Sequence, residues 1–154
     1  MPELESAIRA VEKPAGRGAV LTRHEARPVL LCVGLLLQTG RSEELGDAGD
    51  RLRRLPERPR ESCVAAVQDE LSMAATEYVR SVDPRFLNHP QYDLDYTLEA
   101  RRQLDARWRA CLYFGLAVDP AAQASVERAD RLLEARMKTR IAEWLAKRAS
   151  DAAN

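Results

Sequence analysis

The side chains best suited to recognition chemistry lie together in one short segment. Between residues 86 and 96, a chain with only 5% aromatic residues places four rings close together: Phe86, His89, Tyr92 and Tyr96. Residues 83–93 contain two prolines and no helical period, which indicates a loop. Loops on rigid elements often carry binding groups, and aromatic residues dominate interaction hot spots. The sequence therefore predicts a loop over residues 83–96 that either binds a partner or ligand or packs over one end of the fold.

The same segment offers metal-ligand atoms, but in no specific pattern. His89, Asp93 and Asp95 supply one imidazole and two carboxylates, and no second histidine lies near them in the sequence. The chain contains no CxxC, HExxH, Glu-x-x-His, P-loop or GxGxxG pattern, which are the spacings that hold zinc, di-iron centres or phosphate groups. We therefore predict no metal and no cofactor, and we assign no residue a catalytic role.

One basic cluster lies between residues 51 and 60. Its five members are Arg51, Arg53, Arg54, Arg58 and Arg60. They would contact phosphates if Gly40 were the turn of a helix-turn-helix whose second helix begins at Ser42. That helix would also bring four acidic residues toward the DNA, and the formal net charge of the chain is zero. The sequence therefore disfavours nucleic-acid binding and favours a solvated or partner-facing arginine patch.

Cysteine usage and hydropathy indicate a cytoplasmic protein. The three cysteines, at positions 32, 63 and 111, lie singly in apolar stretches, as is typical of reduced, buried thiols. The longest apolar run, residues 29–37, is less than half of the roughly 20 residues that span a bilayer. The acidic N-terminal residues do not have the character of a signal peptide. We therefore predict a cytoplasmic location and no membrane partner.

Helical periodicity dominates the remaining sequence. Apolar residues recur at the i, i+3, i+4, i+7 spacing, and breaks containing proline or glycine separate the stretches. The predicted helices cover residues 2–13, 25–39, 42–55, 62–82, 95–118 and 120–149. A chain of 154 residues is long enough to bury one core. The sequence therefore predicts an all-α, single-domain bundle of five or six helices with short connections.

Two of these helices lead to specific expectations about packing. We expect the helix over residues 95–118 to be central, with Arg101 and Asp105 forming an i, i+4 ion pair beside its apolar face. In the helix over residues 62–82, Glu70 lies opposite an apolar arc of about 100° and is expected on the outer face. At the start of the second helix, Thr22 and Glu25 have the spacing of a capping box.

The last helix and the missing catalytic motifs determine the predicted function. Trp144 and Leu145, near the chain end, suit packing on a partner as well as on their own core. By elimination, we predict a non-enzymatic helical interaction protein (an adaptor, small chaperone or regulatory subunit) whose partner is another protein or a second copy. Two alternatives stay open. One is a ligand-binding or enzymatic bundle in which loop 83–96 covers a pocket lined by Trp108 or Tyr113; the other is nucleic-acid binding through Arg51–Arg60.

Overall fold

The computed structural model describes residues 2–86 and 88–153; Met1, Leu87 of the predicted loop and Asn154 lie outside these ranges. The described residues form an all-α bundle without strands, as predicted. Its helices are α1 (Pro2–Ala15), α2 (Arg23–Gln38), α3 (Ala48–Arg53), α4 (Glu57–Val82), α5 (Leu94–Tyr113) and α6 (Pro120–Ala153), with 3₁₀ turns at Ser42–Leu45 and Pro84–Phe86. No helix in these ranges combines the length and hydropathy that a bilayer span requires.

Helix α5 lies at the centre of the bundle, between α2 and α4, as its periodicity predicts. The largest fully buried side chains come from α1, α2, α4 and α5: Ile8, Val11, Leu30, Val33, Leu36, Tyr78, Thr97, Leu104 and Cys111. α2 and α5 approach most closely where Gly34 faces Ala106. A Cβ atom on Gly34 would lie 2.1 Å from the Ala106 carbonyl oxygen, so this crossing needs a residue without a side chain.

Helix α2 begins at Arg23, directly after the capping-box residue Thr22 and two residues before the predicted start at 25. Thr22 is the N-cap, and its backbone N–H donates to the Glu25 carboxylate at 2.6 Å. The helix continues through Pro28, its sixth residue.

The predicted helix over residues 42–55 is wrong. The structure has a 3₁₀ turn at Ser42–Leu45 and then the six-residue helix α3. Gly46 separates them because it adopts a φ of 56°, a left-handed value that a continuous right-handed helix does not contain.

Two other helix ends differ from the prediction by five residues, and proline and glycine chemistry explains both; α1 ends at Ala15, two residues beyond its predicted end. α4 begins at Glu57, five residues early, because Pro59 lies in the first turn, where its missing N–H has no intrahelical partner to lose. α5 ends at Tyr113, five residues early, because Gly115 has a φ of 73° and the Leu116 N–H donates back to the helix at 2.9 Å.

A three-residue ion cluster joins α3 to α1. The Arg51 guanidinium donates to both carboxylate oxygens of Glu12, at 2.7 and 2.6 Å, and to Glu5 at 2.6 Å. These hydrogen bonds from Arg51 lower the pKa of Glu5 and of Glu12. One member of the predicted basic cluster is therefore neutralised within the fold.

Acidification is expected to weaken this cluster. A carboxylate whose pKa is lower in the folded state stabilises the fold above its unfolded pKa, and that stability is lost as the pH falls through the folded pKa. Both groups start from an ordinary value of 4.5. We expect the wild type to lose more stability between about pH 5 and pH 3 than the Arg51→Gln variant does. Urea unfolding at both pH values measures the difference, and equal losses would contradict this role.

Candidate functional site

Helix α6 is much longer than the bundle against which it packs. It contains 34 residues, which corresponds to about 51 Å at 1.5 Å per residue. It buries Val126, Ala129 and Leu133 in its first half, whereas every residue from 137 to 153 is exposed. We call residues 137–153 the α6 extension. It ends four residues beyond the predicted end of this helix.

The bundle ends where α4 and α5 end. α6 runs along α4 so that Asp130 accepts a hydrogen bond from the Tyr78 hydroxyl at 2.6 Å. α4 stops at Val82, and α5 starts at Leu94. α6 reaches this level at Arg136, the last residue of the helix that is not exposed. The extension therefore has a core-facing side without the helices that would cover it.

Arg136 connects α6 to the predicted loop. Its guanidinium donates to the Tyr92 carbonyl oxygen at 3.1 Å and to the Thr97 hydroxyl at 3.4 Å. The buried Tyr92 ring lies 6.0, 5.1 and 5.4 Å, centroid to centroid, from the rings of Phe86, His89 and Tyr96 respectively. The structure thus brings three of the four predicted loop residues together around the fourth, the buried Tyr92. These contacts favour the packing interpretation, and a binding role for this loop stays a prediction.

Two polar groups of the loop have structural partners. Asp93 is the N-cap of α5 and accepts from the Tyr96 N–H at 2.7 Å. The Tyr96 hydroxyl donates to Glu77 of α4, and this hydrogen bond raises the pKa of Tyr96 to about 12. This hydrogen bond joins α4 to the first turn of α5. In the described part of the chain, no three His, Cys, Asp or Glu side chains are grouped so as to hold a metal ion.

The residues expected beneath the loop lie elsewhere. Trp108 lines a cleft between α4 and the start of α6. The Tyr113 hydroxyl accepts a hydrogen bond from the Gly49 N–H at 3.3 Å. One cleft beside the loop has a volume of about 710 Å³, with Asp93, Arg140 and Glu143 among its lining residues. A second, of about 420 Å³, is lined by residues that include Phe86 and Val79. Neither is lined by Trp108 or Tyr113, which the lid hypothesis places beneath the loop.

Four apolar side chains form a stripe along the α6 extension. Their exposed fractions are 38, 55, 53 and 54%, in the order Met137, Ile141, Trp144 and Leu145. We name this set the α6 stripe. At 100° per residue, its first three members lie on the side of the helix that buries Val126 and Leu133 inside the bundle. The core-facing side of α6 thus continues into solvent, and contiguous exposed apolar surface is characteristic of interaction sites.

Basic side chains surround the α6 stripe. Residues 137–153 hold four basic and two acidic side chains. The Arg148 guanidinium lies 4.8 Å from the centroid of the Trp144 ring, a cation–π distance. Within the described ranges, Arg140 and Lys147 have no carboxylate oxygen within 4.0 Å. Lys138 pairs with Glu134 of the same helix at 2.8 Å, so the positive charge beside the stripe comes from Arg140, Lys147 and Arg148.

Sequence reasoning named Trp144 and Leu145 but did not assign Met137, Ile141 or Arg148 to a site. The signal was present, because Met137 and Ile141 fall on the predicted apolar side of the last helix. Periodicity alone does not reveal where along a helix the neighbouring helices end.

A buried ion pair at the centre of the bundle was also missed. Arg107 donates to one oxygen of Glu70 at 3.1 and 2.9 Å, and the two residues are 5% and 7% exposed. Arg23 and Arg27 of α2 approach the same carboxylate at 3.7 and 3.4 Å. The outer-face prediction for Glu70 is wrong because these α2 and α5 residues cover that side of α4. The one sequence feature that could have predicted this buried ion pair was the position of Arg107 next to the apolar face of α5.

The predicted ion pair between Arg101 and Asp105 is also wrong. Arg101 donates to Asp130 of α6 at 2.8 and 3.1 Å. Asp105 instead accepts from Arg109 and from Gln38, each at 2.8 Å. Arg101 therefore pairs with a neighbouring helix, whereas Asp105 is held by Arg109 of α5 itself and by Gln38 of α2.

The arginine cluster does not form the expected helix-turn-helix. Its second helix would have to include α3, which has only six residues and is preceded by the Gly46 break. Arg51 is held by α1, and Arg53 pairs with Asp50 at 2.8 Å. The recognition helix that this interpretation requires is therefore absent from the described part of the chain.

Comparison of the chain with protein-family models, with curated proteins and with solved structures finds no match.

Proposed function

We propose that this protein is a non-enzymatic helical interaction protein that binds an amphipathic helix of another protein through the α6 stripe. One observation carries the proposal: the side of α6 that packs into the bundle continues as exposed apolar surface beyond the ends of α4 and α5. A partner helix would take the position that α4 and α5 occupy along the first half of α6. Helix-against-helix recognition of this kind uses anchors at i, i+4 and i+7.

The charges around the stripe indicate the chemistry of the partner. Arg140, Lys147 and Arg148 favour a helix that carries acidic side chains beside its apolar face, since complementary charge increases both specificity and association rate. A second copy of this chain would instead bring two net-positive extensions together. The proposed partner is therefore a different protein with an acidic amphipathic helix.

The setting we propose is the cytoplasm, and the role is that of an adaptor or regulatory subunit. The three cysteines are unpaired, which supports a reducing compartment. The extension measures about 25 Å, the length of a partner helix of about 17 residues.

Trp144→Ala is expected to weaken partner binding at least about tenfold while leaving helical content nearly unchanged. Tryptophan is the residue type most enriched at hot spots, and truncation there commonly costs about 2 kcal/mol or more. The fold tolerates the change because Trp144 is exposed. Leu132→Ala is the matched control, since Leu132 is 44% exposed on the other side of α6. Circular dichroism checks the fold; a loss of helical content would instead make Trp144 a core residue.

A photo-reactive side chain placed at Ile141 tests the surface itself. In extract of the source cells, we expect one cross-linked partner from Ile141 and none from the same probe at Leu132. The cross-link should disappear in the Trp144→Ala variant, and the cross-linked segment should be an acidic amphipathic helix. Equal cross-linking from both positions would overturn the proposal.

Sedimentation of the purified protein distinguishes a partner that is a different protein from one that is a second copy of this chain. We expect a monomer at all accessible concentrations. A concentration-dependent dimer that Trp144→Ala dissociates would assign the α6 stripe to a second copy and overturn the choice of a different protein.

A further inference from the structure

An apolar cavity of about 100 Å³ lies between α2, α3, α4 and the connection from α5 to α6. Aliphatic and aromatic side chains form most of its wall, including the buried Val29, Leu52 and Val67. A water molecule needs only about 10–15 Å³ of such space, and an apolar cavity of about 150 Å³ binds benzene. At about two thirds of that volume, the cavity has room for an apolar group of about four carbon atoms, such as the far end of a six-carbon acid.

Two arginines mark the place where the cavity reaches solvent. Among its lining residues only Arg53 and Arg60 are exposed. Arg53 pairs with the Asp50 carboxylate at 2.8 Å. Arg60 donates from Nη1 to the Arg53 carbonyl oxygen at 3.2 Å. No carboxylate oxygen of the described residues lies within 4.0 Å of the Arg60 guanidinium. Because a guanidinium has five N–H donors, Arg60 keeps donors for an anion at this opening.

We propose that the cavity binds a small carboxylic acid, with its apolar body inside and its carboxylate at Arg60. Transfer of the apolar body of the acid from water into the cavity lowers the free energy. The carboxylate gains charge-assisted hydrogen bonds from the guanidinium, whose planar geometry suits a bidentate contact. A hydrocarbon of the same size would make no use of Arg60, and a much larger acid would not fit. This site shares no residue with the α6 stripe, so its test is independent of the proposed function.

Cys63 provides a direct measure of occupancy. Its side chain lines the cavity, and burial raises the pKa of its thiol to about 11. Cys32 is also partly exposed but lies outside the described cavity lining. A molecule inside the cavity therefore slows alkylation of Cys63 and leaves Cys32 as the control within the same chain.

The experiment uses hexanoate as the probe and 1-hexanol as the uncharged molecule of equal length. Iodoacetamide, which carries no charge, reports the reactivity of each thiol at pH 7. We expect saturating hexanoate to slow Cys63 alkylation at least about tenfold without affecting Cys32. We expect hexanol to bind at least about tenfold more weakly, as the loss of a hydrogen bond to a charged group implies.

Substitutions test where the carboxylate and the apolar body of the ligand bind. Arg60→Gln should abolish the preference for hexanoate over hexanol, whereas Arg58→Gln, a neighbouring exposed arginine outside the described lining, should preserve it. Val64→Phe should fill the cavity and abolish protection of Cys63. If this variant does not fold, the exposed Arg60→Gln substitution still decides the question.

Either of two kinds of result would overturn the proposal. Equal binding of hexanoate and hexanol, or an unchanged preference in Arg60→Gln, would exclude the carboxylate contact. Absence of Cys63 protection, or equal protection of Cys32, would exclude the cavity as the binding site.

Discussion

Glu70→Gln is expected to lower the free energy of unfolding by about 3–5 kcal/mol, because it leaves the buried Arg107 guanidinium without its carboxylate. Arg107 is 5% exposed, and its Nε and Nη2 atoms both donate to Glu70. Its remaining contacts are with Gln103, through Nη1, at 2.9 and 3.0 Å. An amide oxygen at position 70 would accept a hydrogen bond but would not neutralise the charge. The loss is a large part of the roughly 5–15 kcal/mol that stabilise a typical domain.

Glu99→Gln is the matched control for this substitution. Glu99 also pairs with an arginine, Arg102 at 2.8 Å, but both side chains are more than half exposed. Exposed pairs contribute about 0–1 kcal/mol, so this variant should unfold near the wild-type denaturant concentration. Similar losses in the two variants would contradict the assignment of the Glu70 effect to burial.

Removing both charges should recover part of the stability. In Glu70→Leu/Arg107→Leu, the buried charges are replaced by apolar groups, which is often neutral or stabilising. Arg23 and Arg27 remain solvated because their side chains are 38 and 55% exposed. We expect the double variant to be more stable than either single variant, as urea unfolding measures. Additive losses would show that the two residues are not coupled.

Gly34→Ala is the second substitution with a large expected effect, a loss of about 3 kcal/mol or more. The new Cβ atom would lie 2.1, 2.5 and 2.8 Å from three backbone atoms of Ala106. Backbone of a central helix cannot move aside as a flexible side chain does, so α2 and α5 must separate. In an exposed helix the same substitution would stabilise the fold by about 1 kcal/mol. A destabilising effect of Gly34→Ala would therefore indicate the close crossing of α2 and α5.

Gly16→Ala provides the comparison for Gly34→Ala. The nearest atom to a Cβ on Gly16 is the Glu12 carbonyl oxygen at 3.4 Å, an ordinary contact. We expect a change close to zero in thermal or urea unfolding. A stabilising effect of Gly34→Ala in the same assay would contradict the close crossing of α2 and α5.

Local sequence signals determined the fold class and several helix boundaries. Apolar spacing produced the all-α prediction, because one side of each helix must be buried. The capping-box spacing marked Thr22, the N-cap of α2, although the predicted bounds of that helix began two residues late. The predicted start of the last helix, at residue 120, is the start of α6. Each of these signals works within one turn of helix, so no tertiary information was needed. Where a glycine took a positive φ, as at Gly46, periodicity extended the predicted helix too far.

Only the tertiary structure decided the partners of the charged residues and the extent of the exposed surface. Glu70 and Arg107 are 37 residues apart in the chain, and Arg101 and Asp130 are 29 apart. The apolar side of α6 has the same period before and after Arg136, yet the first part is core and the second is exposed. Periodicity records which side of a helix is apolar. Whether that side is buried depends on how far the neighbouring helices reach, and the ends of α4 and α5 set that limit.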